Sequence, residues 1–261
     1  YVSLFMLLPW MPVVLKQQLE IPFSQGVWLY AAFVAGMLLV GPFHAHLGDV
    51  YRRKNLFLFF VIGMAAVGVG YAYAEQWVHC CLLALLQGGC FALAMVGDLT
   101  VTIDITHSSR RTAGNLTFAW IGRMGMMVGC CIGVWLLQKV GFQQLTLVAA
   151  AAMLLGCLFE MRVYLPFRAP IGVPMVTIDR FLLPRAWLPA IGVVLLAASV
   201  GHLMPLLLTG DFCPLIGLGI LAVGVIPLVC LFVRLSHHCQ RGTANASCYQ
   251  AMDVGIMLGL S

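Results

Sequence analysis

Charged side chains are scarce in this sequence, and Asp98, Arg123 and Asp253 each sit inside a long apolar run. A charge in hydrocarbon costs at least about 2.5–3.5 kcal/mol on insertion scales, so each such residue needs a partner or a task. If the runs are helices, Asp98 lies eight residues before Thr106 and Arg123 lies eight after Asn115. At a rise of about 1.5 Å per residue, both are about 12 Å in from the same face. Adjacent antiparallel helices would bring the two charges within about 4–6 Å, where each governs the other's protonation. The chemistry open to such a pair is proton uptake and release, or binding of a polar solute. A structural ion pair is the alternative. Gln87 and His202 stand in two further apolar runs. They are candidates to line a cavity, or else to bond one helix to another.

Other chemistry finds little support. Cys80, Cys81, Cys90, Cys130, Cys131, Cys157 and Cys230 lie within apolar runs, where cysteine acts as a small hydrophobe. Cys213, Cys239 and Cys248 lie near run ends, and no Cys-x-x-Cys pair exists. Neither a metal, a disulfide framework nor a cofactor is expected. His237, His238, Cys239 and Asp253 are the best material for a membrane-embedded enzyme, but they lack metal-ligand spacing. No phosphate-binding Gly-x-x-x-x-Gly-Lys-(Ser/Thr) loop occurs, and no repeated filter or charge ring suggests a channel. His44 and His46 fall at the end of an apolar run and would titrate near neutrality.

The elements that must position these residues are membrane helices. Of the 261 residues, 62% are hydrophobic and 9% charged, with a mean hydropathy of +1.00. A soluble domain has about 25% charged residues. The runs are unbroken rather than alternating, which favours helices over a barrel. The pattern predicts a truncated first helix over 1–15, then helices near 26–46, 56–74, 77–103, 116–138, 143–163, 186–208 and 213–233, and a last one from about 246. Loop charges fit one orientation: the loops on one side hold eleven Lys or Arg, the other side only Lys16 and Lys139, with Arg123 inside a span. The basic side is cytoplasmic by the positive-inside rule. The net charge of +5 is thereby topological and implies no nucleic acid. Residues 164–185 carry four prolines and read as a cytoplasmic linker between a bundle at 1–163 and a partial bundle at 186–261. Both chain ends fall within apolar stretches and read as cut.

An internal echo supports two related bundles. Asn115, Gly125, Met127 and Gly129 recur as Asn245, Gly255, Met257 and Gly259 at one offset of 130 residues. Each copy follows a basic loop and opens a span, and Asp253 takes the place of Arg123. The pairs Gly125/Gly129 and Gly255/Gly259 would let another helix approach closely. Parallel repeats of this kind build two bundles about an axis along the membrane normal, with a site between them.

The first basic loop reads Gly41-Pro-Phe-His-Ala45-His-Leu-Gly-Asp49-Val-Tyr-Arg52-Arg53-Lys54. It resembles the signature loop of the major facilitator superfamily, with Asp49, Arg53 and Lys54 at matching positions. Ala45, Val50 and Arg52 depart from the pattern. Asp104, followed by Arg110 and Arg111, resembles the acidic residue and basic turn at the end of that family's fourth helix. The resemblance implies an all-α bundle of twelve helices in two pseudo-symmetric halves, of which about nine are present here. It also implies that Asp49, Arg53 and Asp104 form a charge relay that latches the halves. Six helices between the repeat copies would need roughly 180–200 residues. Two are therefore expected to be absent, with the gap near Leu208–Cys213. By this resemblance the chain would be a monomeric secondary transporter of a bacterial inner membrane. It would move a small solute across the lipid bilayer by alternating access, coupled to protons, with efflux the preferred direction. A non-transporting membrane subunit and a membrane enzyme are the alternatives.

Overall fold

The computed structural model describes residues 1–19, 23–105, 111–164, 172–211, 213–236 and 241–261. These residues form α-helices and short 3-10 turns, and no strand occurs among them. The first run makes α1 (Val2–Leu7) and α2 (Met11–Leu19), joined by a 3-10 turn at Pro9. The second makes α3 (Phe23–Val40) and α4 (His44–Val50), broken at Gly41-Pro42 because proline cannot donate to the helical ladder. Tyr51 and Arg52 are extended and release the chain into α5 (Arg53–Ala72). Next come α6 (Trp77–Ile105) and α7 (Arg111–Val140). α8 (Phe142–Glu160) follows α7 after Gly141 alone, whose φ of 84° lets the chain reverse within one residue. After the linker come α9 (Trp187–Leu203), α10 (Cys213–Leu235) and α11 (Arg241–Leu260). Asp211 begins α10, its Oδ1 accepting the Cys213 amide at 2.9 Å, and this bond holds its carboxyl below the ordinary carboxylate range.

Among the described residues, seven helices are long and apolar enough to cross a membrane. α11 is not among them. It carries Asn245, Ser247, Gln250 and Asp253, all buried. A helix this polar survives in a bilayer only with protein around it. It packs against α9, α10, α3 and α6. The expected start near 246 is therefore five residues late, since α11 begins at Arg241. Hydropathy marks contact with lipid, and the first turns of α11 touch protein instead.

The halves repeat one crossing. α1 lies in a groove of α7, where a Cβ on Gly129 would overlap the Val2 carbonyl and one on Gly125 would sit 3.2 Å from Tyr1 Cβ. α9 lies in the same way on α11: a Cβ on Gly259 would overlap the Ala198 carbonyl, and one on Gly255 would lie 2.9 Å from Val194 Cα. Two of the contacts between halves are also related: α11 meets α3, and α10 meets α7. A two-fold axis that exchanges α7 with α11 must exchange α3 with α10. α10 is thus the second helix of its half. By this pairing the expected gap of two helices would fall between α10 and α11 rather than near Leu208–Cys213. The symmetry accounts for an open apolar groove too. α6 packs on α11, and the equivalent position beside α7 is the open face formed by Trp120, Ile121, Met124 and Val128.

Candidate functional site

Among the described residues, the most strongly buried charges meet where α7 faces α11. Arg123 is 2% exposed and Asp253 is fully buried. The Arg123 guanidinium donates from Nη2 to Met252 Sδ at 2.6 Å. Its Cζ stands 5.8 Å from the ring centre of Tyr1 and 5.7 Å from that of Tyr249. Two ring faces at this range stabilise a cation without neutralising it. Asp253 lies within electrostatic reach of Arg123. Neither of its carboxylate oxygens has a hydrogen-bond partner. The cage is tied down by aromatic packing. Tyr1 stands edge-on to Phe91 at 5.8 Å and donates its hydroxyl to Met95 Sδ at 3.0 Å, while Phe118 meets Tyr249 at 6.0 Å.

The glycine crossings explain why these groups converge. The α7 groove brings the start of α1, and with it Tyr1, within contact of the helix that carries Arg123. The two-fold axis then places equivalent positions of α7 and α11 opposite one another. Arg123 and Asp253 hold the same position in the repeat, so unlike charges meet near the axis. Further unpartnered polar atoms lie buried: Gln250 Oε1 and Nε2, Asn245 Oδ1 and Gln87 Nε2. Buried polar atoms without partners cost free energy unless water or a solute reaches them.

The other expected residues are placed differently. The side chains of Asp98, Asp104 and Asn115, and residues His237, His238 and Cys239, lie outside the described residues. The expected Asp98–Arg123 pair is thus undescribed, and the described surroundings of Arg123 come from α1 and α11. Gln87 is buried on α6 beside its crossing with α3. His202 is exposed near the end of α9 and does not join the buried set. Asp49 and Arg53 both stand on the basic face, and Asp49 Oδ2 accepts the amides of Gly172 at 2.8 Å and Val173 at 2.9 Å. Lys54 Nζ donates to the last carbonyls after α8, Met161 O at 2.7 Å and Val163 O at 2.6 Å. Among the described residues no group of three metal-ligating side chains occurs.

Sequence reasoning missed the cage around Arg123. Tyr249 stands four residues before Asp253, a helical spacing that could have marked it as sharing its side; Met252, directly before Asp253, carried no such signal. Tyr1 carried no such signal. Gly133 was also missed, although it continues the Gly125/Gly129 spacing and receives Met6 and Trp10.

Comparison with known proteins agrees with this architecture. The chain is 26% identical over 221 residues to an uncharacterized MFS-type transporter, YwoD, of Bacillus subtilis (strain 168); the match takes in 84% of this chain and 46% of that protein. The chain therefore spans about half the length of that curated relative. The fold is similar to the crystal structure of the human organic anion transporter MFSD10 (TETRAN), with a TM-score of 0.67, 16% identity, and coverage of 99% of this chain and 88% of that one. Residues 1–233, which take in α1 to all but the end of α10, match the family model of the Major Facilitator Superfamily, and the chain belongs to that family.

Proposed function

We propose that the protein is a secondary transporter that moves a small solute across a membrane by alternating access, coupled to protons, with the facing charges of Arg123 and Asp253 in its pathway. The observation that carries this reading is a fully buried carboxylate without a hydrogen-bond donor, held opposite a caged arginine where the two halves meet. Such a carboxylate can exchange a proton or a donor-bearing solute as its surroundings open. Residues 1–163 and 186–261 are the two bodies that rock about the site. Asp98 and Gln87 are further candidates for the pathway, and Asp49, Arg53 and Asp104 for a relay at its cytoplasmic end. The protein acts as a monomer in a bacterial inner membrane, and the relative's family supports efflux no more than uptake.

The test is transport by purified protein in sealed liposomes, with an internal pH dye and an imposed proton gradient. A panel of small organic solutes is added in turn. The expected result is that at least one solute moves protons with it, and that Asp253→Asn abolishes this movement. Solute flux with no accompanying change in internal pH would exclude proton coupling.

Sidedness has its own test. Met175 lies in the linker and is 64% exposed, so a cysteine there is open to labelling. Met175→Cys should gain one impermeant maleimide over the parent protein in inverted vesicles and none in right-side-out vesicles. Labelling from the outer face would reverse the assigned orientation.

A further inference from the structure

The second part of the linker is not a slack tether. Residues 172–183 are bonded to both halves. On the first half, Gly172 and Val173 donate to Asp49, the Val173 carbonyl meets His46 Nδ1 at 2.8 Å, and the Thr177 amide donates to Pro42 O at 3.0 Å. On the second half, the Leu183 amide donates to Ser247 Oγ of α11 at 2.9 Å, and that hydroxyl donates to the Phe181 carbonyl at 3.3 Å.

Phe181 joins the two sets. Its backbone is held by Ser247, while its ring lies against Gly41, where any Cβ would overlap it. The ring also meets His44 at 5.9 Å and is 2% exposed. Phe181 and Leu183 are thus buried between the break after α3 and the start of α11, two elements of opposite halves.

We propose that residues 172–183 form a strap across the basic end of the protein, with Phe181 as its bolt, and that this end opens only when the strap withdraws. The proposal rests on the transport reading above, and on the basic end being cytoplasmic. The chain cannot part α3 from α11 at this end while the Phe181 ring is seated on Gly41 and its carbonyl on Ser247. Asp49 and Gly41 then act as the receiving surface of the strap, and Ser247 as its catch. The hydrogen bonds run through consecutive linker residues, so they should open as one unit rather than singly.

The test needs no substrate, so a failure of the transport reading would leave its outcome intact. Nitroxide-bearing non-natural residues are placed at Tyr51 and Arg234 in the full chain, reconstituted in lipid nanodiscs. Both positions are exposed, at the basic ends of α4 and α10 in opposite halves. Pulsed electron paramagnetic resonance then reads their separation. Phe181→Ala should shift the distribution to longer, broader distances, Ser247→Ala should shift it less, and Phe181→Leu should stay near the parent. A folded Phe181→Ala protein with an unchanged distribution would overturn the strap.

Hydrogen exchange on the same samples covers the case in which Phe181→Ala fails to fold. Ser247→Ala removes the bonds to Leu183 and Phe181 and none at residues 172–177. If the strap is one unit, the amides of Gly172 and Val173 should exchange about fivefold to tenfold faster in this variant. Faster exchange confined to residues 181–183 would show two independent contacts and no strap.

Discussion

Arg123→Met is expected to be among the most damaging single substitutions in the protein. It strips a fully buried carboxylate of its counter-charge, and Asp253 has no hydrogen-bond donor to fall back on. Breaking a buried pair from one side costs about 3–5 kcal/mol. Asp253→Asn should cost less, since Arg123 keeps Tyr1, Tyr249 and the Met252 sulfur around it. The double variant should recover most of the loss, because two uncharged side chains leave no ion to solvate. Thermal unfolding of the detergent-purified proteins measures the cycle. Additive single effects would mean that the two charges do not feel one another. Transport by the double variant then tests the role of the pair. Stability regained without proton-driven transport supports a coupling role, and both regained together leaves only a structural one.

The glycine crossings give the second large effect, with internal controls. Gly129→Leu and Gly259→Leu place a side chain where the backbone carbonyls of Val2 and Ala198 already lie. Neither carbonyl can yield, since each belongs to a packed helix. Overpacking a well-filled contact costs about 1–3 kcal/mol or more. Each variant should therefore lower the unfolding temperature and the yield in the membrane. Gly156 and Gly192 are helical glycines with open space where a Cβ would stand. Gly156→Ala and Gly192→Ala should be neutral or stabilising by up to about 1 kcal/mol, as alanine replaces glycine in an exposed helix. Equal loss at all four positions would mean that the crossings are not the tight contacts described.

The spans could be read from sequence because lipid imposes one rule on every residue that touches it. Predicted and observed boundaries differ by a few residues for the lipid-facing helices. The largest differences at a helix start are the five residues at α7 and α11; the neighbours of α11 are protein, and hydropathy is blind to that distinction. The glycine echo was also legible, since close helix crossings need small residues at a fixed spacing. The surroundings of Arg123 were not. Equal depth in the membrane made Asp98 a reasonable partner, but depth says nothing about which way a helix is turned. One residue of rotation moves a side chain by about 100°. His202 shows the same limit: it is polar and within a span, yet it faces outward. The strap was hidden for another reason. A proline-rich segment reads as a connector, and nothing in its composition shows that its amides meet Asp49 or that Phe181 meets Gly41.

The unlike charges at equivalent positions also bear on how copies of this chain treat one another in a crowded bilayer. Two first halves could in principle mate through the surfaces that a first and a second half use, because the surfaces descend from one repeat. That mating would set Arg123 against Arg123, and two second halves would set Asp253 against Asp253. Like charges brought together away from water repel strongly. Only the mixed pairing sets unlike charges against one another. The same two residues would therefore match each half to its own complement and disfavour exchange of halves between neighbouring molecules.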